Sequence, residues 1–338
     1  MPEGTDIGPP LMPRAGISTI AALQSGLPSP AGLPGPFLSR MPAGLDIAEV
    51  EDQLAEWAQS HGLLTDSAAR SRFSRAQFGQ LASLVYPEAG DLISYAKWIA
   101  WLFLFDDYFD EHPDGLTPRD EGLSEGVSAF MPLPDGHHPP QPASIHIAAL
   151  SELWEELSPT MPVPLQTRFR RHVDEYVRSY DTTVAASRNT KAPELSVYIR
   201  LRRSSGAVDT CLDLIERQPG AYLTPAEAGS PVLLALREAA NDVICWTNDI
   251  TSVHKEAQHG ELNNLVTVMR HSLGIGWPAA FDITAQIVAS RTREFQQLCC
   301  ASWPDGPSPA LVRFIEGVRL WISGSHLWHQ QSSRYAGS

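Results

Sequence analysis

Apolar residues recur at intervals of three and four along residues 232–250 (VLLALREAANDVICWTNDI) and 311–328 (LVRFIEGVRLWISGSHLW), while runs of alternating β-branched residues are absent. The first period is that of helices with one buried face, and the missing second one argues against strands. Start signals agree with this. Ser230-Pro231 and Ser308-Pro309 each put a capping residue before a proline at the first helical position, and Thr224-Pro225-Ala226-Glu227 matches a capping box. No internal repeat of fixed period stands out. The pattern predicts an all-α fold, roughly ten to twelve helices in a single domain around one deep cavity.

Two stretches break the pattern. Residues 1–36 hold eight of the 28 prolines and six glycines with no sustained period, which predicts a flexible Pro/Gly-rich tail. Residues 112–142 end in MPLPDGHHPPQP and predict a loop or partly disordered excursion, in which His137 and His138 are read as polar surface. The domain itself is expected over 45–335. With 338 residues, 43% of them hydrophobic, the chain is long enough to bury one large core. Its net charge of −14 makes nucleic acid and anionic membrane poor partners. No uninterrupted apolar stretch reaches the ~18 residues of a membrane span and the N-terminus does not read as a secretory signal, so a cytoplasmic protein is expected. Cys211, Cys245, Cys299 and Cys300 lack zinc spacing and read as small core hydrophobes.

The polar positions that the helical pattern does not explain are acidic. WIAWLFLFDDYFDEH carries Asp106, Asp107 and Asp110 at i, i+1 and i+4, directly after an apolar run. Such a cluster repels itself unless a cation compensates. Further on, ICWTNDITSVHKEAQHG places Asn248, Ser252 and Glu256 at intervals of four, with Lys255 beside the last. On a helix these side chains share one face at about 6 Å per step, so an amide oxygen, a hydroxyl and a carboxylate can converge on one hard cation. Mg²⁺ prefers one or two carboxylates together with substrate phosphates. Two incomplete oxygen sets facing each other across a cavity therefore describe a site for Mg²⁺ and a diphosphate. In YIRLRRSSGAVDTCLDLIE a glycine interrupts a helical stretch, so Gly206 predicts a break just after Arg200, Arg202 and Arg203.

DDYFD and NDITSVHKE resemble the aspartate-rich motif and the NSE triad of class I terpene cyclases, above all the bacterial sesquiterpene cyclases of the pentalenene synthase type. The resemblance implies the α-helical fold of that family. It also implies metal ligands Asp106, Asp107, Asp110, Asn248, Ser252 and Glu256 for three Mg²⁺ ions. The segment around Gly206 is similar to the family's sensor, linker and effector, which fall on Arg202, Ser205 and Gly206; the linker is often an acid in the family and is serine here. Arg334-Tyr335 resembles the family's terminal Arg-Tyr pair, so the diphosphate would be held by Arg202, Lys255, Arg334 and Tyr335. Phe103, one turn before the aspartates, and Trp328, near the end of the last helix, are expected to line the cavity with aromatic faces that stabilise a carbocation. The implied reaction is cyclisation of farnesyl diphosphate to a sesquiterpene by a monomer or homodimer, with geranylgeranyl diphosphate as the alternative substrate. A chain-elongating prenyltransferase would carry a second aspartate-rich motif in place of the triad. A proton-initiated class II cyclase would need an Asp-x-Asp-Asp signature, which the chain lacks. A catalytically silent diphosphate-binding protein would share the ligands without the turnover.

Overall fold

The computed structural model describes residues 46–111, 127–134, 142, 144–187, 192–258, 262–301, 303, 306–332 and 334. The expected tail over 1–36, the His137-His138 pair and Tyr335 lie outside the described residues, as do the side chains of Asp110 and Lys255. Among the described residues there are thirteen α-helices and no strand, so the all-α expectation holds. They are α1 (Ile47–Ser60), α2 (Ser67–Ala76), α3 (Phe78–Val85), α4 (Leu92–Glu111), α5 (Ile145–Leu157), α6 (Val163–Ser187), α7 (Leu195–Ser205), α8 (Val208–Glu216), the short α9 (Pro225–Ala228), α10 (Pro231–Gln258), α11 (Leu265–Leu273), α12 (Trp277–Cys299) and α13 (Pro309–Gln331).

The expected start signals act as read. Ser308 Oγ accepts the Leu311 amide at 3.1 Å with Pro309 in the first turn, and Ser230 Oγ accepts the Leu233 amide at 3.3 Å before α10. The Thr224–Glu227 capping box is complete, although the helix it opens is only four residues long. Each cap satisfies an amide that the first helical turn leaves without an intrahelical partner.

Helix α4 is apolar on nearly every side because it packs against α1, α3 and α5. Trp98, Trp101 and Phe105 have almost no exposed surface and form one stack, Trp98 on Trp101 at 5.4 Å and Trp101 on Phe105 at 4.9 Å between ring centroids. Their indole N–H groups are satisfied: Trp98 donates to Thr210 Oγ1 at 3.1 Å and Trp101 to the His146 carbonyl at 2.9 Å. Each such burial stabilises by about 1.5–3 kcal/mol. The penultimate turn of α4, with Asp106 and Asp107, is thereby fixed by the core beneath it. Helix α10 is surrounded by α7, α8, α11, α12 and α13, and it presents its polar 248–256 face from the centre of the bundle. Helix α8 is anchored through two buried carboxylates. Arg168, Arg237 and His172 all bond Asp213, and Arg168 also bonds Glu216.

Two expectations need correction, and a third gains a physical cause. Part of the 112–142 excursion is core: Val127–Phe130 forms a 3-10 turn with Val127, Phe130 and Met131 buried, tied to α6 by the Ser128 amide on Asp174 Oδ1 at 2.9 Å. Cys211 and Cys245 are buried, but Cys299 is half-buried and Cys300 exposed, because both sit where α12 ends. The helix break after α7 is real, yet Gly206 keeps right-handed angles (φ −76°, ψ −9°), and the left-handed residue is Ala207 (φ 53°, ψ 8°). Glycine is needed at 206 for space: a Cβ there would lie 2.3 Å from Cys245 Sγ on α10.

Gly206→Ala is therefore expected to cost about 1–3 kcal/mol by overpacking, and less in a Cys245→Ala background. Ala207→Gly should stabilise by about 0.5–1 kcal/mol by relieving the left-handed alanine. Denaturant unfolding of the single and double variants checks both; an equal cost of Gly206→Ala in the two backgrounds would rule out the close approach.

Candidate active site

Two acidic faces make up the candidate site, one from the end of α4 and one from α10. On the first, Asp106 Oδ1 accepts a hydrogen bond from the Tyr180 phenol at 2.7 Å. Tyr180 in turn shares a bond with Tyr176, whose hydroxyl also lies 3.0 Å from the Leu102 carbonyl. Burial and the adjacent Asp107 charge push the Asp106 carboxyl above the usual range, while Tyr180, Arg334 and Arg202 pull it back. Asp107 is forked by Arg334, Nη2 to Oδ1 at 2.7 Å and Nη1 to Oδ2 at 3.0 Å. The same guanidinium lies over the Phe103 ring, 4.8 Å from its centroid. Planar charge-assisted forks of this kind fix geometry as well as charge.

On the second face, Arg202 reaches across from α7. Its Nε donates to Asp249 Oδ1 at 2.9 Å and its Nη2 to Asn248 Oδ1 at 2.8 Å. Asp249 is almost fully buried and also accepts from the Tyr198 hydroxyl and, at 2.8 Å, from the Leu265 amide. Ser252 Oγ donates to the Asn248 carbonyl at 2.9 Å. Burial and the Asp249 charge push Glu256 upward, while Ser252, Arg202 and Asn264 lower it. Arg202 thus acts electrostatically on both Asp106 and Glu256, one from each face. His329 from α13 joins them: Asn248 Nδ2 lies 3.0 Å from His329 Nε2. Burial, with His326 and the positive Arg202 and Arg334 nearby, pushes His329 down to about 3, so the ring is neutral and Nε2 accepts the amide N–H.

The sequence-predicted residues separate into three groups. Asp106, Asp107, Asn248, Ser252, Glu256, Arg202 and Arg334 come together, with Phe103 beneath Arg334. Arg203 points elsewhere, bonding both oxygens of Asp242 at 2.7 and 2.8 Å, and Arg200 is exposed. Ser205 and Gly206 lie at the break beside Arg202, and the link from Arg202 to the break is backbone: the Gly206 amide donates to the Arg202 carbonyl at 2.9 Å. The expectation that Trp328 lines a cavity is not met in this conformation. Trp328 has no exposed surface, packs among Phe78, Phe103 and His329, and donates its indole N–H to the Ala76 carbonyl at 2.8 Å. A cavity of about 300 Å³ lies elsewhere, between the end of α3, the 218–221 turn and α13.

Tyr180, Tyr198, Asp249, Asn264 and His329 were not singled out from the sequence. Asn264 carried a local signal, as a capping residue before the apolar run of α11. The others are defined by partners on different helices. The donor set fits a hard divalent cation. All the convergent groups are oxygen donors, and burial makes ionised Asp106 and Glu256 depend on nearby positive charge. Among the described residues no three His, Cys, Asp or Glu side chains cluster on one point.

Residues 97–294 match the family described as terpene synthase family 2, C-terminal metal binding. The chain is 32% identical over 294 residues to a (+)-T-muurolol synthase of Roseiflexus castenholzii, covering 86% of this chain and 89% of that protein. It is also 32% identical over 319 residues to a pentalenene synthase of Streptomyces avermitilis, covering 89% and 91%. Among solved structures, a linalool/nerolidol synthase from Streptomyces clavuligerus superposes with a TM-score of 0.73 at 22% identity, over 84% of this chain and 98% of that one. An a-eudesmol synthase gives a TM-score of 0.72 at 23% identity, over 86% and 97%. With an arginine paired to each of two acidic faces inside an all-α bundle, and with these relatives, the chain belongs to the terpene synthase family, as its motifs implied. No helix among the described residues is long and apolar enough to cross a membrane.

Arg202 and Arg203 provide a test of register. Arg202→Lys keeps the charge but loses the planar fork to Asn248 and Asp249, and turnover should fall about 10–100-fold. Arg203→Lys should lower the melting temperature slightly and leave turnover within about twofold. The opposite ranking in steady-state assays would mean that Arg203 serves the site.

Proposed function

We propose that this protein is a Mg²⁺-dependent class I cyclase that ionises farnesyl diphosphate and cyclises the cation to a sesquiterpene, releasing diphosphate. The observation that carries this reading is Arg202, which bonds Asn248 on one face and stabilises the charge of Asp106 on the other. Relatives whose names give a substrate give (2E,6E)-farnesyl diphosphate, which favours it over geranylgeranyl diphosphate. A cytoplasmic monomer or homodimer completes the reading.

Asp106, Asp107 and Asp110 from α4, with Asn248, Ser252 and Glu256 from α10, would hold the metal, expected as three ions. When bound, Mg²⁺ supplies the positive charge that stabilises the departing diphosphate. Arg202 and Arg334 add planar pairs of N–H donors for phosphate oxygens, with Lys255 and Tyr335 as further donors. No protein nucleophile is required. Ser205 and Gly206 transmit the grip of Arg202 to the helix break. Phe103, its ring beneath the Arg334 guanidinium, would add aromatic surface beside the reacting chain and help keep water from the cation.

The test is incubation with Mg²⁺ and geranyl, farnesyl or geranylgeranyl diphosphate, followed by mass spectrometry of the hydrocarbons. Sesquiterpene from farnesyl diphosphate is expected, with loss of product in chelator. Asp106→Ala and Asn248→Ala should each lose at least about 100-fold in turnover. A mainly C20 product, or near wild-type turnover in either variant at saturating substrate, would overturn the reading. The aromatics divide: Phe103→Leu should shift products toward acyclic or singly cyclised hydrocarbons. Trp328→Leu should lower the melting temperature, by about 3 kcal/mol of stability, with product ratios unchanged. Unchanged ratios in Phe103→Leu would remove that residue from the lining.

A further inference from the structure

Glu256 occupies an unfavourable place for a ligand. It sits two residues from the end of α10, on a turn where helices fray and where the negative end of the helix dipole opposes a carboxylate. Ser252 and Asn248 lie one and two turns further in, where the helix itself holds them. Glu256 therefore needs support from another element, and one residue supplies it. Asn264, six residues past the end of α10, has no exposed surface and extended backbone angles (φ −136°, ψ 135°) as the N-cap of α11. Its Oδ1 accepts the Val266 amide at 2.9 Å. Its Nδ2 donates to the Asp249 carbonyl at 2.8 Å and to Glu256 Oε2 at 2.9 Å. The whole amide is committed, with one bond for its own helix cap and two for α10.

We infer that Asn264 is the positioning residue for Glu256: it clamps the last turn of α10 by joining the Asp249 carbonyl to the Glu256 carboxylate. The two acceptors are seven residues apart and share a helix face, so a single rigid amide fixes the side chain relative to a turn deep in the bundle. A neutral donor suits the task. An arginine or lysine in its place would neutralise the carboxylate that has to meet a cation, whereas an amide orients it and leaves its charge. Since Asn264 also caps α11, the position of Glu256 is coupled to the corner between α10 and α11.

The inference rests on the metal reading given under Proposed function, and the experiment separates the two. Mg²⁺ is titrated in the presence of inorganic diphosphate while thermal stabilisation of the full chain is followed. Asn264→Ser retains a capping oxygen but cannot reach Glu256, and Asn264→Asp retains size and cap but replaces the donor by an oxygen. Both should raise the Mg²⁺ midpoint at least about tenfold, the range seen when a residue supporting a metal ligand is removed. Val268→Ala, one turn into α11 and fully buried, should lower the metal-free melting temperature and leave the midpoint unchanged. Midpoints within twofold of the wild type in either folded Asn264 variant would overturn the inference, as would an equal shift in Val268→Ala. Absence of any Mg²⁺-dependent stabilisation of the wild type would instead overturn the metal reading itself.

Discussion

The pair between Arg202 and Asp249 is the contact on which the site depends. Burial disfavours the charged guanidinium, but Asp249 and the surrounding negative groups more than offset this and hold it well above its ordinary range. The side chain of Asp249 is only 1% exposed, so removing either partner would strand a buried charge at a cost of about 3–5 kcal/mol. Tyr198, one turn before Arg202 on α7, bonds the same carboxylate. Two donors a turn apart thus seat α7 on α10, and Asp249 also takes the Leu265 amide at the start of α11. A single aspartate fixes three helices around the polar face of one.

That arrangement answers a charge problem. The chain carries a net charge of −14 and gathers adjacent carboxylates in its interior, which would repel one another if left alone. Arg334 on Asp107 and Arg202 beside Asp249 supply positive charge where it is needed, and Tyr180 and Asn264 supply neutral donors. The acidic groups stay close enough together to act on a common ion, and the basic groups stay close enough to act on an anion.

What was legible in the sequence is what is local. The caps at Ser230, Thr224 and Ser308 are read within four residues, and the 248/252/256 spacing is a property of one helix. The supports of those residues come from elsewhere: Tyr180 lies 74 positions from Asp106, and His329 lies 81 from Asn248. No periodicity encodes such pairings. Gly206 shows the same limit in a subtler form. The glycine correctly marked a break, but its cause is the sulfur of Cys245 on another helix, and the strained angle falls on Ala207. Val127, Phe130 and Met131 were hidden for a different reason, being too few to show a period inside a proline-rich stretch.

Trp328 shows how a misread residue can still matter to the site. Helical spacing put an aromatic near Arg334 but could not say which way it faced. Its indole bonds the carbonyls of Ala76 and Gln77, at 2.8 and 3.2 Å, in the turn between α2 and α3 where Gln77 is held at φ 56°. Non-glycine residues adopt that conformation only at some cost, so a turn of this kind persists where its surroundings hold it. Ser332 Oγ donates to the same Ala76 carbonyl at 3.2 Å, and the Arg334 amide donates to Ser332 Oγ at 3.1 Å. Trp328, Ser332 and Arg334 are therefore stitched to one corner of the bundle. Phe103 closes the arrangement from α4, with one ring contact to Trp328 at 5.5 Å and another to the Arg334 guanidinium. The tryptophan contributes by setting where α13 ends, and hence where the arginine that forks Asp107 begins.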